Sequence, residues 1–117
     1  MQIRLFGIPN CNSVKKARDW LTENSLDYTF HDFKKQGITE EMIHSWLKHV
    51  PLNNLVNRKG TTWRMLSDHE KEQADQEPGA INLMLQKPSV IKRPVVVTKN
   101  KVLVGFDTSV YEQIFSK

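Results

Sequence analysis

Cysteine is nearly absent from this chain: its 117 residues contain only Cys11. That excludes an intramolecular disulfide, and it excludes a zinc site built from four cysteines. Long apolar runs are also missing, and nothing approaches the roughly 20 residues that a membrane-spanning helix needs. The opening, Met1-Gln2-Ile3-Arg4-Leu5-Phe6-Gly7, lacks the basic flank and extended apolar stretch of a signal peptide. A lone thiol persists where the medium is reducing, so the expected location is the cytoplasm. A strong charge of one sign is lacking too. The net charge of +4 comes from 17 basic and 13 acidic residues. Lys15, Lys16 and Arg18 share a segment with Asp19 and Glu23, the pattern of a solvated surface. Without zinc-finger spacing, a helix-turn-helix or an aromatic RNA-binding signature, no nucleic-acid partner is expected. His31, His44, His49 and His69 show no ligand spacing, so no metal is expected either.

What remains suffices for one folded domain spanning 1–117, since 38% of residues are hydrophobic and 26% charged. Gln2 to Phe6 alternates, with Ile3 and Leu5 on one face, and reads as a short strand. Gly7-Ile8-Pro9-Asn10 is turn chemistry. From Ser13 the period changes: Val14, Ala17 and Leu21 fall at helical spacing, Asn12 and Ser13 are N-cap candidates, and Asn24-Ser25 is a stop. Tyr28 to Phe33 suggests a second strand, parallel to the first across a right-handed crossover.

A helix is expected from Thr39, with Glu40 and Glu41 in its first turn and Met42, Ile43, Trp46 and Leu47 along its apolar stripe. Residues 51–90 carry short helical patterns, including Thr62 to Leu66 and Ala80 to Leu85, divided by Pro51, Gly60, Pro78 and Pro88. No strand is legible there, and residues of about 39–90 read as a helical insertion. Pro94 to Thr98 then holds the buried β-branched run Val95-Val96-Val97. Asn100-Lys101 turns the chain into Val102-Leu103-Val104. Asp107 or Thr108 caps a last helix carrying Val110, Ile114 and Phe115. The expected fold is α/β and thioredoxin-like: a four-stranded mixed sheet with an inserted helical block.

Cys11 falls between a strand end and a helix start. The first amides of a helix have no intrahelical partner, and the helix dipole adds positive potential there. Both favour the thiolate, the species that attacks disulfides and electrophiles. Asn10, Asn12 and Ser13 make the flanks polar, and Lys15 and Lys16 add positive charge. Position 14 is valine, so no Cys-x-x-Cys pair exists and turnover requires an external thiol such as glutathione. Arg93-Pro94 precedes the Val95-Val96-Val97 strand, where a thioredoxin-like fold usually holds a cis proline facing the thiol.

The stretch Gly7-Ile8-Pro9-Asn10-Cys11-Asn12-Ser13-Val14-Lys15-Lys16-Ala17-Arg18-Asp19-Trp20-Leu21 resembles the start of the arsenate reductase ArsC/Spx family, and within it the YffB-like branch. Leu55-Val56-Asn57-Arg58-Lys59-Gly60 is similar to that family's central arginine motif. Leu83-Met84-Leu85-Gln86-Lys87-Pro88 with Ile91-Lys92-Arg93-Pro94-Val95 is similar to its second. The resemblance implies Cys11 as nucleophile, with Arg58 and Arg93 as two of three oxyanion-holding arginines. A planar guanidinium offers paired donors to an oxyanion or to a carboxylate of glutathione. The third arginine falls at Phe106, and the histidine of arsenate reductases, four residues before the nucleophile, falls at Gly7. The implied activity is that of a glutathione-dependent thiol reductase, with glutathione as co-substrate and a small thiol, disulfide or oxyanion as partner. Substrate or glutathione binding is expected at Asn10, Asn12, Ser13, Lys15, Arg58, Arg93 and Pro94. The alternatives are an Spx-like regulator that docks on RNA polymerase, or weak arsenate reduction. A monomer is expected.

Overall fold

The alternating segment at the start of the chain pairs with the β-branched run near its end. In the computed structural model, which describes residues 2–115, β1 (Arg4–Gly7) lies between β2 (Thr29–Asp32) and β3 (Val95–Val97), with β4 (Val102–Val104) outside β3. β1 runs parallel to β2, with Leu5 opposite Phe30, and antiparallel to β3, with Leu5 opposite Val96. β3 and β4 form an antiparallel hairpin with Val96 opposite Leu103. Helix α1 (Asn12–Glu23) is the crossover that parallel neighbours require. The fold is α/β and thioredoxin-like, with a four-stranded mixed sheet. An interior strand is covered on both faces, and Leu5, Phe6 and Gly7 are all buried in succession.

Two compact units divide the chain. One is made of the residues up to Asp32 and from Arg93 onward, the other of Phe33–Lys92. The core of the first joins Ile3, Leu5, Val14, Ala17, Leu21, Val96, Tyr111 and Phe115. Val14, Ala17 and Leu21 are the buried stripe of α1, at the helical spacing read from sequence, while Lys15, Lys16 and Asp19 stay exposed.

The second unit contains α2 (Phe33–Gln36), α3 (Glu40–Leu47), α4 (Leu52–Leu55), α5 (Thr61–Arg64), α6 (Asp68–Gln73), α7 (Glu77–Gln86) and a 3-10 turn at Pro88–Val90. Thr39 caps α3, its hydroxyl accepting from the Met42 amide at 3.2 Å. Ser67 and Glu70 cap α6 reciprocally, each side chain accepting from the other's backbone N–H. Trp46 is buried and its ring lies 6.4 Å from that of Phe33. Residues 51–90 form no strand. A single bridge joins Val56 to Ile91, flanked by bonds from Asn57 N–H to the Val90 carbonyl (2.7 Å) and from Lys92 N–H to that of Leu55 (2.8 Å).

Several boundaries differ from the sequence reading. The cap of α1 is Cys11 itself, so Asn12 and Ser13 are its first two helical residues. Phe33 opens α2 rather than ending β2. Pro78 lies inside the first turn of α7, where a missing N–H costs nothing, instead of separating two helices. On α8 (Thr108–Phe115) the buried residues are Tyr111 and Phe115, and Val110 is exposed. Asp107 caps that helix, its carboxylate accepting from the Ser109 and Val110 amides at 2.9 and 3.4 Å.

Candidate functional site

Cys11 has extended backbone angles, φ −107° and ψ 129°, and its carbonyl accepts the first helical bond, from Lys15 N–H at 2.9 Å. Serine, threonine, asparagine or aspartate at this position would normally spend its side chain on the N2 or N3 amide. Here the side chain makes no such bond. The amides of the first turn therefore remain available at the thiol end of α1. No acidic residue occupies that turn, so the positive end of the helix is not neutralised from within. Cys11 is half-buried and rests against the core cluster of the first unit. Asn10, Asn12 and Lys15 are exposed and Ser13 is half-buried.

The register of the sheet decides what else lies at this end. Phe6 is opposite Val95, and Val95 is opposite Val104. The chain leaving β1 toward Cys11, the Arg93-Pro94 segment entering β3 and the Gly105-Phe106 segment leaving β4 thus share one end of the sheet. The Arg93–Pro94 peptide bond is cis. Gly105 N–H donates to the Pro94 carbonyl at 2.8 Å, extending the hairpin by one bond. Pro94 is buried; Arg93 is half-buried and has no hydrogen bond, ion pair or ring contact among the described residues.

Gly7, where the resemblance expects a histidine, has a steric explanation. A Cβ there would sit 2.6 Å from Val14 Cγ2, and Val14 is wholly buried. Gly7 and Val14 are therefore packed against each other, with no room for a side chain at position 7 unless Val14 moves. Phe106, in the place of the third arginine, is half-buried, with its ring edge-on to Tyr111 at 4.9 Å.

Arg58 belongs to the second unit. Its guanidinium lies over the Trp63 ring, 4.8 Å from the centroid, and one nitrogen points at the Ala74 carbonyl (3.4 Å) and Asn53 Oδ1 (3.5 Å). With Trp63, Lys71 and the carboxylates Asp68, Glu72 and Asp75 it lines an open cleft.

Tyr111 escaped the sequence reading and proves central to the first unit: its hydroxyl donates to the Gly105 carbonyl at 2.9 Å. The readable signal was the Asp107 cap, which sets a helical phase placing Tyr111, Ile114 and Phe115 on one face. Among the described residues no group of three histidine, cysteine or carboxylate side chains could hold a metal ion, and no helix is long and apolar enough to cross a membrane.

Comparison with known proteins gives a consistent family. The model of the ArsC family matches residues 6–114. A solved YffB protein is 42% identical and superimposes with a TM-score of 0.88, covering 95% of this chain and 96% of the other. An arsenate reductase-related protein from Brucella melitensis is also 42% identical, with a TM-score of 0.75 and coverage of 100% and 97%. An uncharacterised protein from Haemophilus influenzae is 32% identical over 97% of this chain and 99% of its own length. The global transcriptional regulator Spx of Streptococcus pyogenes is 23% identical, over 90% of this chain and 78% of the regulator.

Proposed function

This chain belongs to the ArsC family, and on that premise we propose that it is a glutathione-dependent thiol reductase using Cys11 as its sole nucleophile. The observation that carries this reading is the capping position of Cys11: half-exposed, at the head of a helix whose first turn holds no acid, with its side chain uncommitted to the helix amides. The Cys11 thiolate attacks the glutathione sulfur of a substrate that is a glutathione mixed disulfide. An Sγ–S bond forms, the substrate S–S bond breaks, and the departing thiolate takes up a proton. A glutathione thiolate then attacks the glutathione sulfur of the resulting Cys11 mixed disulfide, yielding oxidised glutathione and free Cys11. Two electrons pass from glutathione to the substrate. Arg93, with no partner among the described residues, supplies donors for a carboxylate of glutathione, and Asn10, Asn12, Ser13, Lys15 and Pro94 line the approach. The absence of a Cys-x-x-Cys pair favours this single-thiol cycle, and Phe106 argues against dedicated arsenate reduction, because an aromatic ring offers no charge to an oxyanion.

The test is reduction of a glutathione mixed disulfide by excess glutathione, comparing wild type with Cys11→Ser. Turnover by wild type alone supports the reductase. The Spx likeness supports a second reading, a regulator docked on RNA polymerase. Absence of turnover, together with stoichiometric binding of purified RNA polymerase by the serine variant, would replace the first reading with the second.

A further inference from the structure

Tyr111 is buried to 1% exposure, yet it carries a hydroxyl that must find a partner. Its partner is the carbonyl of Gly105 at 2.9 Å. Gly105 has φ +83°, a left-handed conformation that favours glycine, and its own N–H donates to the Pro94 carbonyl at 2.8 Å. Two hydrogen bonds in series thus run from α8 through Gly105 to the segment entering β3. The ring of Tyr111 meets Phe106 edge-on at 4.9 Å, and meets Trp20 edge-on at 5.5 Å. Trp20 lies on α1, the helix that Cys11 caps. One side chain therefore contacts both the helix that presents the thiol and the loop bonded to Pro94. Burial pushes the phenol well above its ordinary value near 10, so the hydroxyl remains a donor throughout the pH range of thiol chemistry.

We propose that Tyr111 is a positioning residue for the thiol site, fixing Gly105-Phe106 and, through Gly105, the Arg93-Pro94 segment that receives the glutathione moiety. The inference rests on the thiol-reductase reading and adds a residue to it that touches neither substrate nor thiol. Its action is on approach geometry rather than on the sulfur, so a bulky anionic disulfide feels its loss and a small neutral alkylating agent does not.

The experiment compares wild type, Tyr111→Phe and Tyr28→Phe. The last loses a hydroxyl that accepts from Arg18 Nε at 3.0 Å, near the other end of the sheet. Three quantities are measured: the rate of Cys11 capping by oxidised glutathione, the rate of its alkylation by iodoacetamide, and hydrogen exchange at the Gly105 amide. Tyr111→Phe is expected to slow capping about tenfold, by misplacing the receiving segment. It should leave alkylation within about twofold and speed Gly105 exchange by about tenfold, since that amide reports local opening. Tyr28→Phe should match wild type in all three. Unchanged capping in Tyr111→Phe overturns the positioning role, and so does unchanged Gly105 exchange. Equal slowing of capping and alkylation also overturns it, because that pattern marks general loosening. Wild-type capping no faster than that of a free cysteine of equal iodoacetamide reactivity refutes the reductase reading itself, and Gly105 exchange then still reports on the hydrogen-bond relay.

Discussion

The resemblance gives Arg58 and Arg93 the same task, but their surroundings are opposite. Arg58 lies on an indole face, points at a backbone carbonyl sixteen residues away and shares its cleft with three carboxylates. Arg93 sits half-buried with no partner among the described residues. A guanidinium stacked on tryptophan and aimed at a carbonyl already contributes to the folded state. One with unused donors contributes little until a ligand arrives, and its worth appears only as binding. Two arginines equated by sequence motif are thus separable by what each would lose on truncation.

The largest effect should come from the idle one. Arg93→Ala is expected to slow capping of Cys11 by oxidised glutathione about tenfold, the worth of a charge-assisted bond, while thermal stability stays within about 0.5 kcal/mol. A loss of stability with unchanged capping would reverse the comparison. Arg58→Ala should do the converse in calorimetry, lowering stability by about 1 kcal/mol through loss of the Trp63 contact. The contrast sharpens further in a double-mutant cycle. Arg58→Ala and Trp63→Ala should couple by about 0.5–1 kcal/mol, and additivity would show that the stacked geometry carries no energy.

The smallest effect concerns the support of Arg58. Ala74, whose carbonyl Arg58 approaches, follows α6 directly, and α6 is held at its start by the Ser67–Glu70 box. The Ser67 backbone N–H, together with its hydroxyl and Lys87, lowers the Glu70 pKa below its usual 4.5. The unfolded chain therefore takes up a proton more readily than the folded one. The stabilisation is complete above about pH 4.5 and is lost as pH falls through the lowered folded value. The stability difference between wild type and Glu70→Gln, followed by thermal melts, should shrink as the medium is acidified below that point. A pH-independent difference would show that the carboxylate charge is not what counts.

The strands, the parallel first pair, the antiparallel last pair and the buried face of α1 were legible because each depends on patterns within a few residues: the alternation at Ile3 and Leu5, the Val95-Val96-Val97 run, and the spacing of Val14, Ala17 and Leu21. The thiol's place at a helix head was legible for the same reason. The pairing of β1 with β3 was not legible, since it joins segments far apart in the chain. That Cys11 is itself the cap was not, since cysteine gives none of the cap signal of serine or asparagine. The short helices α4 and α6 offer too few turns for a periodicity to emerge, although Ser67 and Glu70 spelled out the start of α6. Tyr111 was passed over because the reading took Val110, Ile114 and Phe115 as the apolar residues of α8, whereas Val110 is exposed and Tyr111 is buried beside Phe115. Arg58's neighbours were beyond local reading, because its link to Ala74 joins two segments with no shared pattern.

The register of β1 has a consequence for biosynthesis. Its parallel neighbour is encoded just after it, but its antiparallel neighbour β3 is encoded near the opposite end of the chain. On a ribosome, β1 can dock with β2 early while its other edge stays open until Val95 to Val97 emerge. That edge belongs to a strand made for burial on both faces, and an unpaired apolar edge is a template for aggregation. A nascent or truncated chain ending before Arg93 would carry both an exposed strand edge and a thiol lacking its Arg93-Pro94 neighbour. Pairing of β1 with β3 and completion of the thiol's surroundings are one event, so premature termination leaves a sticky fragment rather than a partly working site.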